Sequence, residues 1–543
     1  MRRTSCTITA VVCLVAALLV GCAADRPLRV RLAPDVARPD RAVVLFFIDG
    51  LGRRQFGDAL SRGDLPNVRR EIVDRGVRVE TAVASIPSIT YANAVTFITG
   101  RFPGRHGIVS NKWFDPTTRQ YQNYCSIRTY RDVDADYRPS PTLYEILSDR
   151  VTVNLQAAQR RGVTHTIDNW ATGGVNWFFH NYTGVDCLVA QDFELIARRA
   201  PAWGRWPDFV MAYFPGVDEI GHRFGPDSEA YRRAMANVDR QIGRICTVLR
   251  EVGVFDRTVL CLVSDHGMAA VGPGRHFDLA AFLRERIGRR IWIGDVCRDA
   301  VARRRLARDH DYALAVSGSR WAALYAIPSD DDARSNALTE MLEGLAAVDA
   351  TAPVSDSNAA ALLLGWLRDA LRHPAVEMAA VSARPGVIHL FRRDRHAVIV
   401  RSADRPFHYT VRQRAGREVI PPDDVPDAEG LTALPAIATA RYPDLVPQVT
   451  ALFDTPRAGH VVFFAADGWD FAAGDSRGGH GSVLRADMLV PMLFAGPGLP
   501  AGESLPVARN ADVMPTLLGF LGATPNSEHS GPLEFDGVDL FAK

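Results

Sequence analysis

Short apolar runs that end abruptly in an Asp- or Gly-bearing turn recur along the chain, and they constrain its fold more than any other feature. Ala42–Ile48 runs into Asp49-Gly50, Phe209–Phe214 into Pro215-Gly216, and Val259–Val263 into Ser264-Asp265; Val461–Ala465 and Leu489–Phe494 come later. Runs this short, with no polar alternation, suit strands buried on both faces, as in a parallel sheet. Between them, Asp227–Val252 carries Tyr231, Met235, Val238, Ile242 and Ile245 at spacings of three or four, the stripe of an amphipathic helix. The alternation predicts a doubly wound α/β fold: a mostly parallel sheet with helices on both faces and a ligand site beyond the carboxyl ends of its strands. Asp49, Asp218 and Asp265 all fall just after such strands.

The character changes between residues 281 and 440. Arg-rich helical stretches (Arg284–Arg290, Arg303–Arg308) mix with strand-like pieces at Trp321–Ile327, Val387–Phe391 and Ala397–Val400. This reads as an α+β insertion or cap that divides the catalytic core into residues 42–280 and 441–543, with Pro421–Pro426 as a connecting loop. At 543 residues the chain is long for one domain, though a single α/β domain with an insertion reaches this size.

Residues 1–22 stand apart from the fold. Arg2 and Arg3 precede an apolar stretch, Ile8–Val20, too short to span a bilayer comfortably, which ends in Leu19-Val20-Gly21-Cys22. The pattern is similar to a bacterial lipobox, in which the leader is cut before a Cys that is then lipidated; an ordinary secretory signal with an incidental Cys is the alternative. Acyl chains on Cys22 would anchor the chain to a membrane. With Ala23 rather than Asp next to Cys22, the expected address is the periplasmic face of the envelope, at an outer membrane where the cell has one, or the cell surface. Residues 23–41, with three prolines, read as a tether. Beyond Cys22 five cysteines remain, Cys125, Cys187, Cys246, Cys261 and Cys297, so at least one is unpaired. None forms a CxxC pair, so a metal site must draw on His and carboxylates. Lys plus Arg (63) nearly balance Asp plus Glu (62), which gives no strong field for a nucleic acid.

Four motifs carry ligand chemistry. Asp49-Gly50 follows a strand. Asp218-Glu-Ile-Gly-His222 sets a carboxylate and an imidazole four residues apart, on one face if helical. Ser264-Asp265-His266-Gly267 closes an apolar strand, and Gly478-Gly479-His480-Gly481 surrounds a His with residues that permit close backbone approach. Singly, each has an ordinary reading as a turn, a surface pair or a loop. Together, three Asp and three His at strand ends suit two Zn2+ ions with positions left open for substrate. Ile86-Pro-Ser-Ile-Thr90-Tyr-Ala-Asn93 supplies a hydroxyl that zinc would convert into a nucleophile. Thr90 also reads as a helix N-cap, and the two roles are compatible, because a helix N-terminus presents N–H groups to phosphate.

With these residues in place, the chain resembles the nucleotide pyrophosphatase/phosphodiesterase family of the alkaline phosphatase superfamily. The resemblance covers Ala42 to about Ala280 and Arg457 to about Phe541, including Gly496-Pro-Gly and Arg509-Asn-Ala-Asp-Val-Met-Pro-Thr516. It implies an alkaline-phosphatase-like fold, with Asp49, Asp265, His266 and Thr90 on one zinc and Asp218, His222 and His480 on the other. It further implies that Asn111 donates to a phosphate oxygen and that Tyr91 lines the leaving-group or base pocket. His106 reads as structural, and Asn93 receives no definite role. The implied chemistry is a two-step displacement through a phosphothreonine at Thr90.

Formal charge bears on substrate class. Two zinc ions are balanced by three carboxylates and a Thr alkoxide, so a monoanionic diester fits better than a dianionic monoester, which calls for added Arg or Lys. Monoesterase relatives carry a Lys-x-Arg pair where this chain has Gln156-Ala-Ala-Gln-Arg160-Arg161-Gly162. The expected substrate is therefore a small phosphodiester or phosphoanhydride, nucleotides included. Phosphomonoesters and phosphonoacetate-like substrates stand as alternatives, and a catalytically inactive, surface-anchored binding protein is the alternative of a different class. Trp170, Trp177, Phe178 and Phe179 fit either base stacking or core packing. A sulfatase is excluded, because no Cys has Pro two residues later.

Overall fold

The computed structural model describes residues 30–328, 358–402, 409–414, 437–523 and 535–542, apart from 127, 138–139, 169–175, 177–179, 288–289, 295–296, 394 and 473. Its main sheet has nine strands: β1 (Ala42–Ile48), β2 (Gly76–Val83), β3 (Thr152–Leu155), β4 (His165–Ile167), β5 (Phe209–Phe214), β6 (Thr258–Val263), β7 (Leu489–Val490), β8 (Met492–Ala495) and β9 (Glu503–Arg509). β1 lies between β5 and β6 and is parallel to both, and β3 and β4 continue the parallel run beyond β5.

Alternate residues of β1 explain its unbroken apolar run. Val43, Leu45 and Phe47 enter one hydrophobic core, while Val44, Phe46 and Ile48 enter another on the opposite face. Helix α1 (Thr90–Thr99) covers the first face. α2 (Tyr182–Trp203) and α4 (Glu229–Glu251) cover the second. Between β5 and α4 lies α3 (Gly216–Phe224). The expected Asp227–Val252 helix is α4: Ser228 caps it by accepting from the Tyr231 N–H at 3.1 Å, and the whole Tyr231-to-Ile245 stripe is buried.

Three expectations change. The Leu489–Phe494 run splits at Pro491 into β7 and β8, both antiparallel to their neighbours; proline has no N–H to continue a ladder. Val461–Ala465 is not in the main sheet. It lies inside a second, eight-stranded sheet, antiparallel to Trp321–Ala326 and Val376–Arg384. The second sheet therefore takes strands from both sides of the expected boundary at residue 440, and Ala323, Tyr325, Ala380 and Phe464 on its inner face join the same core as α1. Finally, residues 30–41 are not a free tether. Leu32 and Val36 are buried, the Ala37 N–H reaches the Gly204 carbonyl, and the Trp206 N–H reaches Ala37. Residues 1–29 and Pro421–Pro426 lie outside the described residues.

Candidate active site

The carboxyl ends of β1, β5 and β6 deliver the ligand-type side chains. Asp49 ends β1, and Gly50 follows in the left-handed region (φ 66) with Asp218 packed against it. A Cβ at Gly50 would sit 2.7 Å from the Asp218 backbone. After β5, Pro215 starts α3, which places Asp218 in its first turn and His222 one turn on. After β6 come Asp265 and His266, both fully buried. His480 arrives from a distant loop and is held by the second sheet: its N–H donates to Gly318 O at 2.7 Å and its carbonyl accepts from Arg320 N at 3.1 Å. The segment expected to be an insertion or cap thus braces a candidate ligand.

All six expected ligands converge, with Thr90 beside them. His266 Nε2 lies 3.3 Å from Asp49, 3.2 Å from Asp265, 4.0 Å from Asp218 and 3.1 Å from Thr90 Oγ1. Asp218 is 3.5 Å from His222 Nε2 and 3.7 Å from His480 Nε2. One oxygen-and-nitrogen cluster combines Asp218, His222 and His480; a second combines Asp49, Asp218 and His266. Asp218 is therefore central to both groups. Thr90 is the first residue of α1, and Ile89 rather than Thr90 takes the N-cap position.

The histidines are oriented by backbone. His222 Nδ1 faces Gly478 O at 3.0 Å, His266 Nδ1 faces Gly267 O at 3.0 Å, and His480 Nδ1 faces Ser88 O at 2.9 Å. A carbonyl can only accept, so each Nδ1 carries a proton and each ring turns its Nε2 into the cluster, where a lone pair faces inward whenever the ring is neutral. Among the described residues, Asp218 Oδ1 and Asp265 Oδ2 are buried without a hydrogen-bond donor. Burial, then the charge of Asp49, pushes the carboxyls of Asp218 and Asp265 well above the usual carboxylate range. Burial and the neighbouring His266 and His222 hold His480 well below an ordinary imidazole. Burial also opposes charge on His266, but Asp49 and Asp218 outweigh it and raise that pKa. Inward lone pairs and orphaned carboxylate oxygens form a donor set that fits divalent cations of the zinc type.

Several supporting side chains were not singled out from sequence. The Tyr213 hydroxyl donates to Asp49 Oδ2 at 2.5 Å. Ser264 Oγ accepts from Leu51 N and donates to His266 O, both at 2.9 Å, tying the ends of β1 and β6 together. Asn510 Nδ2 lies 3.2 Å from Ser264 O and 3.3 Å from Asp265 O, and it also contacts Asn93. Asn93 gains a definite role: its amide nitrogen holds the carbonyls of Ser85, Pro87 and Ile89, which shapes the loop leading to Thr90.

Asn111 lies beside the Thr90 segment, its Oδ1 accepting from Tyr91 N at 3.0 Å. The Tyr91 ring stacks on Tyr124 at 5.0 Å, and its hydroxyl reaches Tyr124 O at 3.3 Å, so Tyr91 is half-buried in the protein wall. His106 is structural: fully buried, it meets Thr96 Oγ1 at 3.1 Å and the Ile108 N–H at 3.2 Å. Arg160 pairs with Asp168 at 2.8 Å, and Arg161 is committed to Tyr137 O, Ser140 O and Glu145. Trp170, Trp177, Phe178 and Phe179 lie outside the described residues. All five described cysteines are free thiols.

Residues 43–341 match the family model for type I phosphodiesterase / nucleotide pyrophosphatase. The chain belongs to this family. Among curated type I phosphodiesterase relatives, an uncharacterized pyrophosphatase/phosphodiesterase of Schizosaccharomyces pombe is 31% identical over 243 residues, covering 43% of this chain and 46% of the relative. A bis(5'-adenosyl)-triphosphatase of Xenopus laevis is 25% identical over 254 residues, covering 43% and 51%. The match thus spans about half the length of these relatives. Among solved structures, murine ectonucleotide pyrophosphatase/phosphodiesterase 5, in an inactive form with AMP, superposes with a TM-score of 0.54 at 16% identity, covering 91% of this chain and 97% of that one. That likeness establishes the shared alkaline-phosphatase-like α/β fold.

Proposed function

We propose that this protein hydrolyses phosphodiesters or phosphoanhydrides with the aid of two zinc ions, through a phosphothreonine formed on Thr90. The observation that carries the reading is the convergence of three inward-facing His Nε2 atoms, three Asp carboxylates and the Thr90 hydroxyl in one buried cluster. Asp49, Asp265 and His266, with Thr90, would hold one ion; Asp218, His222 and His480 would hold the other. Bound zinc supplies Lewis acidity, which lowers the pKa of a hydroxyl and stabilises charge on a leaving oxygen.

The chain's own groups do the rest. Thr90 Oγ attacks phosphorus, the leaving oxygen departs with its organic group, and water then cleaves the threonyl phosphate to regenerate the hydroxyl. As first residue of α1, Thr90 points into the cluster while the helix N-terminus favours a phosphate anion. Asn111 Oδ1 accepts the Tyr91 N–H, so Nδ2, which also faces the Cys125 thiol, is the end that would donate to a phosphate oxygen. Asp49 is fixed by Tyr213, so the face that meets Thr90 keeps one orientation.

Diesters are favoured over monoesters because Arg160 and Arg161, which stand where monoesterase relatives carry a Lys-x-Arg pair, are spent on Asp168 and Glu145 rather than on a second phosphate charge. A nucleotide fits the substrate class, in keeping with the names of the Xenopus relative and of the AMP-bound neighbour. The leader points to export, with Cys22 as a lipid anchor on the envelope; among the described residues no helix is long and apolar enough to cross a membrane. The test is paired turnover of bis-p-nitrophenyl phosphate and p-nitrophenyl phosphate, with zinc and with chelator, beside Thr90→Ala. Zinc-dependent diester cleavage that disappears in Thr90→Ala is expected. Faster monoester cleavage would overturn the charge argument, and unchanged activity in Thr90→Ala would overturn the nucleophile.

A further inference from the structure

On the flank of the main sheet a cleft of about 750 Å³ opens between the helix Arg53–Arg62 and β2, β7 and β8. None of the six candidate ligands lines it. The helix that forms one wall breaks the usual electrostatic rule. Its N-cap is Gly52 with no side-chain cap, its first turn carries no acidic residue, and Arg53 and Arg54 stand where the helix dipole is already positive. Among the described residues, Arg53 and Arg78 have no ion-pair partner, and both line the cleft. Arg485, on the opposite wall, is held by the Ala438 and Ala440 carbonyls at 2.9 Å.

Gln55 is the second, independent sign. Its side chain is only 7% exposed, lines the cleft, and makes no hydrogen bond among the described residues. With no protein partner among the described residues, its amide faces the cleft and is open to hydrogen-bond an occupant. The cleft's basic side chains, Arg53, Arg54, Arg78 and Arg485, outnumber its carboxylates, Asp58 and Glu80, and Asp58 lies 3.6 Å from Arg54. The remaining wall is apolar, formed by Phe56, Leu60, Leu489 and Met492. Volume and lining are those of a small-molecule site.

We propose that this cleft is a second binding site, for a small organic phosphate: the phosphate sits at the N-terminus of the Arg53–Arg62 helix between Arg53 and Arg78, Gln55 hydrogen-bonds the ligand, and its apolar body lies against Phe56 and Leu489. The site is independent of the zinc chemistry. It begins three residues after Asp49, whose loop is tied to β6 through Leu51 and Ser264, so occupant and catalytic loop share one rigid segment.

The test is calorimetric titration of the full chain with AMP, with inorganic phosphate and with phosphatidate-containing vesicles, in wild type, Arg53→Ser/Arg78→Ser and Gln55→Leu. Competition with diester turnover identifies AMP bound at the catalytic centre, and the cleft accounts for binding that does not compete. Non-competing AMP binding in wild type that weakens by about tenfold or more in the Arg pair is expected, with a similar direction in Gln55→Leu. It should also weaken with salt. Both arginines are at least partly exposed, so the pair should fold with unchanged thermal midpoint; if it does not, Gln55→Leu decides. Non-competing binding that is absent, or equal in all three proteins, would overturn the site. Inorganic phosphate binding as tightly as AMP would overturn the role of the apolar wall. Binding seen only with vesicles would overturn the small-ligand reading. Were the enzyme inactive, AMP binding lost in the Arg pair would still support the cleft.

Discussion

Tyr213→Phe is the most informative single substitution for the proposed metal centre. The hydroxyl donates to Asp49 Oδ2 at 2.5 Å, and burial first, then Asp49, raises its pKa far above an ordinary phenol, so it stays a protonated donor at any working pH. Phe keeps the ring and its contact with Phe47, whose centroid lies 4.8 Å away, so packing should survive. What is lost is one hydrogen bond to a charged acceptor, worth about 1.5–3 kcal/mol. Groups that support a metal ligand in this way typically change metal affinity by about 10–100-fold, and that range agrees with the hydrogen-bond figure. Zinc affinity measured by competition with a chromophoric chelator should therefore fall by about tenfold or more, and turnover should recover as free zinc is raised. Zinc affinity within twofold of wild type, in a folded variant, would refute the claim that Tyr213 orients a zinc ligand.

Arg320 and Asp487 form a fully buried pair at 2.8 Å, and Arg320 also donates to the Ala466 and Trp469 carbonyls. Arg320→Met should cost about 3–5 kcal/mol in denaturant unfolding by stranding the carboxylate; a loss under 1 kcal/mol would contradict this. Gly478 supplies the carbonyl facing His222, and a Cβ there would come within 2.4 Å of Gly221 O. Gly478→Ala should lower zinc stoichiometry or affinity while leaving Thr90 intact, as read by metal analysis. Burial depresses His106 to a pKa of about 3. The unfolded chain then binds the extra proton between pH 6.5 and about 3, so its contribution is full above 6.5 and is lost as pH falls through that window, by up to about 1.4 kcal/mol per unit. In metal-free protein, His106→Asn should show a pH dependence of unfolding free energy shallower by about one proton between pH 4 and 6.

Of the candidate ligands, Asp218 and His222 were legible through their four-residue spacing and His480 through its flanking glycines; Asp49, Asp265 and His266 were legible because a buried apolar run ends in Asp or Asp-His and then Gly. The same pattern misled at Val461–Ala465, whose five apolar residues serve as well in the middle of an antiparallel sheet. Only long-range pairing separates the two cases. Residues 30–41 read as a linker through their prolines, yet Leu32 and Val36 dock them on the core. Tyr213 was hidden because one Tyr in an apolar strand reads as packing, and its hydroxyl matters only once β1 lies beside β5. The grip of Gly318 on His480 joins segments far apart in sequence. A Cβ at Gly318 would lie 2.4 Å from His480 O, a constraint that local pattern cannot carry.

Zinc content is the most direct test of the central claim. Native mass spectrometry of the purified chain, beside Asp218→Asn, should show two zinc ions per wild-type chain and fewer in the variant, because Asp218 borders both ligand groups. A wild-type chain that folds yet holds no zinc, even when zinc is supplied, would contradict the account.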